Sequence, residues 1–104
     1  MIAPLAITEH AYDRAKKRLG LDRAATEREV EKVFATGLRH GETGGKLNRY
    51  LTRLYLEHGT ADNLRIHSEH VFVFSGHVLI TILHLPNEMK RAALDALSKR
   101  KIAS

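Results

Sequence analysis

The spacing of apolar residues along the chain changes from a helical to a strand period near Asn63, and this change is the strongest constraint on the fold. Before Asn63, apolar residues recur every three to four positions, which predicts amphipathic helices. From Leu64 to Leu85 they follow a two-residue period, which predicts strands. With 104 residues, 43% of them apolar, the chain is long enough to build one hydrophobic core. We therefore predict a single α+β domain over residues 1–104.

Capping signals set the bounds of four predicted helices. Thr8 is a suitable N-cap for the first helix, and Gly20 can end it in a left-handed conformation. Thr26 and Glu29 have the spacing of a capping box, so we expect the second helix to begin there. Asn87 is a suitable cap for the last helix. The predicted helices are residues 8–19, 27–40, 46–58 and 88–100.

Three strands are predicted, at residues 64–67, 70–74 and 77–85. The connections Ser68-Glu69 and Ser75-Gly76 are short enough for hairpin turns. The third strand is apolar on both faces, so we expect it to lie centrally with both sides covered. The predicted fold is thus α+β, with N-terminal helices packed on a three-stranded antiparallel β-meander and with a C-terminal helix.

The charge and residue content restrict the function classes. Lys and Arg number 17 against 12 Asp and Glu, a net charge of +5. Such an excess favours encounter with phosphate groups, although it also simply aids solubility. The absence of cysteine excludes disulfides, thiolate nucleophiles and cysteine zinc sites, and it fits a cytoplasmic location. The first residues lack a signal-peptide pattern, and the longest apolar run, residues 78–83, is too short to span a bilayer. We therefore expect no membrane partner.

His10, Arg14 and Arg18 form the sharpest chemical pattern. Their spacing of four residues places them in one column on the first helix, and each directly precedes an apolar residue of its buried stripe. Side chains at such a boundary are held in place yet can still reach a ligand. An imidazole there is a candidate general base, and guanidinium groups can hold a phosphate through paired donors. The alternative is a solvated basic helix edge that contains a histidine by chance.

Thr81 interrupts the most apolar strand with a hydroxyl group. A buried hydroxyl needs a hydrogen-bond partner, so Thr81 is a candidate member of a site. The alternative is structural, because threonine is a good strand former and its hydroxyl can bond within the sheet.

A second basic stripe lies on the third predicted helix. Lys46, Arg49 and Arg53 share one side, with Lys46 close to the predicted N-terminus, where a phosphate could be bound. Tyr50 could stack on a base and completes a candidate RNA-binding set. The alternatives are a solvent-facing helix side and, for Tyr50, a core tyrosine. The seven histidines show no zinc-binding spacing, so we predict no metal site and no cofactor.

Two segments of the chain together resemble a known protein family. These are ITEHAYDRAKKRLG, residues 7–20, and VFVFSGHVLITILHLP, residues 71–86. They resemble small bacterial and phage toxins of the barnase/colicin/RelE-like ribonuclease superfamily. The resemblance implies a helix packed on an antiparallel sheet and metal-independent RNA cleavage through attack by the 2′-hydroxyl. The predicted helical hairpin of residues 26–58 has no match in the family pattern.

The resemblance also implies roles for individual residues. His10 would be the acid or base, Arg14 and Arg18 would stabilise the phosphorane, and Thr81 would orient the phosphate or His10. Lys46 would be a second cation near the site. The implied partners are RNA and an acidic inhibitor, which would be an antitoxin or immunity protein.

Two other functions remain open. The chain could be a non-catalytic nucleic-acid-binding or regulatory protein, which would use the basic stripes without needing His10. It could also be a phage or mobile-element adaptor protein, in which the charge serves only solvation. Cleavage or binding of RNA, compared between the parent and His10→Ala, separates the three hypotheses.

Overall fold

The computed structural model describes residues 5–57 and 63–103, which form four helices and a five-stranded mixed sheet. The helices are α1 (Glu9–Leu19), α2 (Arg23–Thr36), α3 (Gly45–Glu57) and α4 (Asn87–Ala103). The strands are β1 (Ala6–Ile7), β2 (Leu38–Arg39), β3 (Asn63–His67), β4 (His70–Ser75) and β5 (Val78–His84), and a 3₁₀ turn, His40–Glu42, follows β2. The α+β class and the four helices agree with the prediction.

The sheet is larger than the predicted three-stranded meander. Its strand order is β1-β5-β4-β3-β2, and β3, β4 and β5 are antiparallel neighbours, as expected. The prediction missed β2, which pairs antiparallel with β3, and β1, which pairs parallel with β5. Each of the two missed strands has only two residues, so neither can show an alternating pattern. The prediction of a purely antiparallel sheet is therefore wrong.

The central strand is β4, whereas the prediction placed β5 there. Val71, Phe72, Val73 and Phe74 of β4 are all buried. β5 lies beside β4, and β1 covers part of its other edge. The error arises because apolar residues on both faces of a strand indicate that helices cover both faces of the sheet, and they do not fix the place of the strand in the strand order.

Two hydrophobic cores lie on the two faces of the sheet. Helices α1 and α2 pack on one face, over a core formed by Ala11, Ala15, Val30, Val33, Phe72, Phe74, Leu79 and Ile82. Helices α3 and α4 pack on the other, over a core formed by Leu38, Leu47, Leu51, Leu54, Leu64, Ile66, Val71, Val73, Leu85, Met89 and Ala93. Because α2 and α3 lie on opposite faces, the predicted helical hairpin of residues 26–58 is wrong, and the chain passes from one face to the other through β2 at the sheet edge.

The start of α2 corrects the predicted capping box. Asp22 is the N-cap, and its carboxylate accepts a hydrogen bond from the Ala25 N–H at 2.8 Å. Thr26 lies buried within the helix and donates its hydroxyl to the Asp22 carbonyl at 2.7 Å. Glu29 lies 3.7 Å from the His67 imidazole and does not close a capping box. Aspartate and threonine both cap well, so the sequence alone could not decide between the two positions.

The end of α2 also differs from the prediction, which continued this helix to residue 40. The helix ends at Thr36, and Gly37 then adopts an extended conformation at the start of the crossing. Leu38, expected on the helix, is fully buried in the opposite core. The other helix bounds agree within a few residues, and Thr8 and Gly20 cap α1 as predicted. Residue 58, predicted as the last of the third helix, lies outside the described residues.

The close packing at Gly37 gives a testable prediction about stability. A Cβ atom at this position would lie 2.6 Å from the Val33 carbonyl oxygen and 3.1 Å from Arg65 Cβ. We expect Gly37→Ala to lower the free energy of unfolding by about 1–3 kcal/mol, the usual cost of overpacking. The matched control is Gly41→Ala, where nothing lies within 4 Å of the added atom. Its effect should stay within about 0.5 kcal/mol in the same denaturant titration. Equal denaturation midpoints for Gly37→Ala and Gly41→Ala would contradict the close packing at Gly37.

Candidate active site

A hydrogen bond between His10 and Thr81 joins the first helix to the last strand. His10 Nε2 lies 3.1 Å from Thr81 Oγ1, although the residues are 71 positions apart in the chain. The Thr81 side chain is buried, whereas His10 is exposed. The hydroxyl that interrupts the apolar strand therefore has its partner in a histidine at the surface.

A β-bulge sets the position of Thr81 on β5. Val73 pairs with Thr81 and Phe74 pairs with Leu79, so Ile80 is an extra residue with no partner on β4. A bulge of this kind bends the strand and changes the direction of nearby side chains. The local irregularity of β5 thus lies directly beside the hydroxyl that contacts His10.

The hydroxyl of Thr8 fixes the position of the helical turn that carries His10. It accepts a hydrogen bond from the Ala11 N–H at 3.1 Å, which caps α1, and it donates to the Ile80 carbonyl at 3.0 Å. The Thr8 backbone N–H also bonds to the Leu79 carbonyl at 3.1 Å. The first turn of α1, which carries His10, is therefore tied to β5 at the bulge. The sequence identified Thr8 as a cap but contained no signal for its bond to β5.

A polar cluster holds this first turn against α2. Arg23 donates two hydrogen bonds to the Glu9 carboxylate, at 3.0 and 3.1 Å, and these bonds lower the pKa of Glu9. The same guanidinium stacks 3.8 Å from the centre of the Tyr12 ring. The Tyr12 hydroxyl donates to Glu27 at 2.9 Å, and burial is the main reason that the pKa of Tyr12 is raised. Glu9 precedes His10, so the cluster restrains the backbone of the candidate site.

Arg14 lies one helical turn after His10 and has an unused hydrogen-bond donor. Its side chain is 29% exposed, and one terminal NH₂ group lies 3.3 Å from the Asp13 carboxylate, which Lys17 also contacts. Its Nε atom is buried and has no hydrogen-bond partner in the described part of the chain. An unpaired buried donor is costly, so an oxyanion at this position would stabilise it. Arg18, a further turn along, is exposed.

The imidazole of His10 has one ring nitrogen, Nδ1, with no hydrogen-bond partner among the described residues. Nε2 is engaged by Thr81, and its role as donor or acceptor depends on the tautomer. If Nε2 carries the proton, it donates to Thr81 Oγ1 and leaves a lone pair on Nδ1. In the other tautomer the threonine hydroxyl donates to Nε2, and Nδ1 carries the proton. Thr81 therefore orients the ring for acid or base chemistry at Nδ1.

The candidate RNA-binding residues on α3 lie apart from His10. Lys46, Arg49 and Arg53 are exposed, and none of them forms an ion pair with a described residue. Tyr50 is half-buried against the core, and this burial raises its pKa. Because α3 and α1 pack on opposite faces of the sheet, the structure does not bring these four residues to the His10–Thr81 contact.

Three other histidines form a row at one end of the sheet. His67, His70 and His84 are directly opposite one another on β3, β4 and β5. The His70 Nδ1 atom lies 2.8 Å from the Ser68 carbonyl, and the His70 and His84 rings meet edge to face. Within residues 5–57 and 63–103, no three His, Asp or Glu side chains are grouped so as to hold a metal ion.

Comparisons with known proteins found no matching family model, no similar curated protein and no similar solved structure. Among the described residues, no helix is both long enough and apolar enough to cross a membrane.

The His10–Thr81 contact predicts a specific response to Thr81→Val. This substitution keeps the side-chain shape and removes the hydroxyl, so the ¹⁵N resonance of His10 Nε2 should shift. The chain provides a matched control, because Thr52 Oγ1 lies 3.1 Å from His40 Nε2. Thr52→Val should shift His40 and leave His10 unchanged. Removing one such hydrogen bond should cost at most about 1.5 kcal/mol, so both variants should remain folded. An unchanged His10 resonance in Thr81→Val would contradict the contact.

Proposed function

We propose that the protein is a metal-independent endoribonuclease of the toxin type. The observation that carries this proposal is the hydrogen bond of 3.1 Å between His10 and Thr81. Arg14, one turn along the same helix, has a buried Nε–H with no hydrogen-bond partner in the described ranges, and its guanidinium is the proposed oxyanion-binding group. The net charge of +5 favours encounter with a polyanion such as RNA.

The proposed reaction is an internal transesterification of RNA. The 2′-oxygen attacks the neighbouring phosphorus, so a 2′-O–P bond forms while the 5′-O–P bond breaks. One proton leaves the 2′-hydroxyl and one reaches the departing 5′-oxygen. His10 accepts the first proton or supplies the second through Nδ1, while Thr81 holds Nε2. The products are a 2′,3′-cyclic phosphate and a 5′-hydroxyl end.

The arginines of α1 would stabilise the charge that develops on the phosphorane. Arg14 has a buried Nε–H and is already restrained by Asp13, so it can bind an oxyanion with little loss of freedom. Arg18 is one turn further and exposed, which suits an adjacent phosphate of the same strand. Thr81 is a positioning residue in this scheme, because it acts through the His10 ring.

An active ribonuclease would endanger the cell that makes it. The proposal therefore includes an inhibitor protein, either an antitoxin or an immunity protein, that covers the site until release. Such an inhibitor should be acidic, because it must bind a chain with a net charge of +5. The cytoplasm, where RNA is abundant, is the proposed location.

The central prediction of this proposal concerns His10→Ala. We expect it to reduce RNA cleavage at least about 100-fold without loss of folding, the usual effect of removing an acid or base. Cleavage should be measured on total RNA and on ribosome-bound RNA, with EDTA present throughout. The matched control is His40→Ala, which removes another imidazole bonded to a threonine but lies outside the site. It should cut as the parent does.

The chemistry of the ends provides an independent check. The parent should leave cyclic phosphate and 5′-hydroxyl ends, whereas hydrolysis by a metal-bound water would leave 5′-phosphate ends. Parent-like activity in His10→Ala would remove His10 from the mechanism.

The second candidate function is non-catalytic binding of nucleic acid. It is supported by the exposed row of Lys46, Arg49 and Arg53, which form no ion pair with a described residue and lie on the face opposite His10. A surface of this kind would bind a polyanion without an acid or base.

This candidate predicts a change in the salt dependence of binding. The plot of log affinity against log salt should become shallower by roughly 2 in Lys46→Gln/Arg49→Gln/Arg53→Gln, because each contact to a single strand contributes about 0.7. His10→Ala should leave the slope unchanged. An unchanged slope in the triple variant would exclude α3 as the binding surface.

A further inference from the structure

Two arginines lie directly opposite each other at the edge of the sheet. Arg39 of β2 pairs in register with Arg65 of β3. Opposite residues on antiparallel strands have Cα atoms about 4.5–5.5 Å apart and side chains on the same face. Like charges in this arrangement repel each other and lower the stability of the sheet. The pair therefore does not serve the stability of the sheet, and this indicates a functional role.

Arg65 is held rigidly in this position. Its Nε donates to Asn63 Oδ1 at 2.9 Å, and its guanidinium lies 5.2 Å from the centre of the Phe34 ring. The backbone of Gly37 packs against its stem, with room for no side chain. Burial and the charge of Arg39 lower the pKa of Arg65. The two terminal NH₂ groups of Arg65 have no hydrogen-bond partner among the described residues.

The charge of the pair is only partly offset, because the Glu42 carboxylate raises the pKa of Arg65 but burial and the charge of Arg39 outweigh it. Arg14, Arg23 and Lys90 each contact a carboxylate within ion-pair distance. Neither Arg39 nor Arg65 has such a contact in the part of the chain that the structure describes. The Glu42 carboxylate on this edge accepts the Arg39 backbone N–H at 2.9 Å.

We propose that Arg39 and Arg65 form a phosphate-binding site, with the oxyanion held between the two guanidinium groups. Guanidinium groups bind phosphate through paired N–H donors, and a doubly charged or bridging phosphate would remove the repulsion between the arginines. Arg39 lies three strands from Thr81 and Arg65 lies two, roughly 14 and 10 Å at the usual strand spacing, so this site is distinct from the His10–Thr81 contact. The inference does not depend on the proposed ribonuclease activity.

The test follows the Nε–H resonance of Arg65 by ¹H–¹⁵N NMR during titration with inorganic phosphate. Chloride at matched ionic strength serves as the reference. We expect a saturable shift of the Arg65 resonance with phosphate and no saturable shift with chloride. Arg39→Gln should weaken phosphate binding at least about tenfold, the usual scale for a lost charged hydrogen bond. The matched control, Arg91→Gln, changes an exposed arginine on α4 and should bind phosphate as the parent does.

Thermal unfolding provides a second readout that does not depend on the resonance assignment. Without phosphate, Arg39→Gln should melt at the same temperature as the parent or higher, because the repulsion is gone. Added phosphate should raise the melting temperature of the parent and of Arg91→Gln more than that of Arg39→Gln. Absence of a saturable shift at Arg65, or an undiminished shift in Arg39→Gln, would overturn the proposal.

A third titration distinguishes free phosphate from the phosphate groups of a nucleic-acid backbone. It uses a 2′-O-methyl RNA oligonucleotide that cannot be cleaved. Tighter binding of the oligonucleotide than of inorganic phosphate at Arg65 identifies a nucleic-acid backbone as the ligand. The reverse order identifies free phosphate. His10→Ala should retain either response, so loss of RNA cleavage and loss of this binding site are distinguishable results.

Discussion

The two hydrogen bonds of the Thr8 hydroxyl are the constraint on which the candidate site depends. One bond caps α1 and the other reaches the Ile80 carbonyl at the bulge of β5. The Thr8 backbone N–H adds a bond to the Leu79 carbonyl, and β1 pairs with the same strand, so the start of α1 is tied to β5 at several points around the bulge. These bonds place His10 against Thr81, and the Glu9–Arg23 ion pair then restrains the same turn from the side of α2. The contact between His10 and Thr81 therefore depends on a helix cap.

Most of the fold could be predicted from local pattern, and the errors have definable causes. The change of period at Asn63 separated helices from the main strands because both were long enough to show it. β1 and β2 were missed because two residues have no periodicity. The start of α2 was misplaced because Asp22 and Thr26 are both suitable caps, and the spacing of Thr26 and Glu29 favoured the wrong one. Once β2 was missed, α2 and α3 could only be read as a hairpin.

The residues of the candidate site could be predicted from the sequence, but the contacts between them could not. His10, Arg14 and Thr81 stand out by residue type and position, but no local rule says that the first helix meets the last strand. That contact depends on the parallel pairing of β1 with β5 and on the bulge at Ile80. The pairing of Arg39 with Arg65 was likewise hidden, because it exists only through the register of an unrecognised strand. Lys46, Arg49 and Arg53 were found as a stripe, yet their distance from His10 required the three-dimensional arrangement.

The central strand β4 has a consequence for how the molecule unfolds. It contributes Val71 and Val73 to one core and Phe72 and Phe74 to the other. If either pair of helices detaches, one face of β4 becomes exposed. The other pair of helices packs on the opposite face of this same strand. The two layers are energetically coupled through one backbone segment, and they should behave as one cooperative unit. The amide hydrogens of β4 should accordingly exchange with solvent only when the whole domain opens, on whichever face the opening begins.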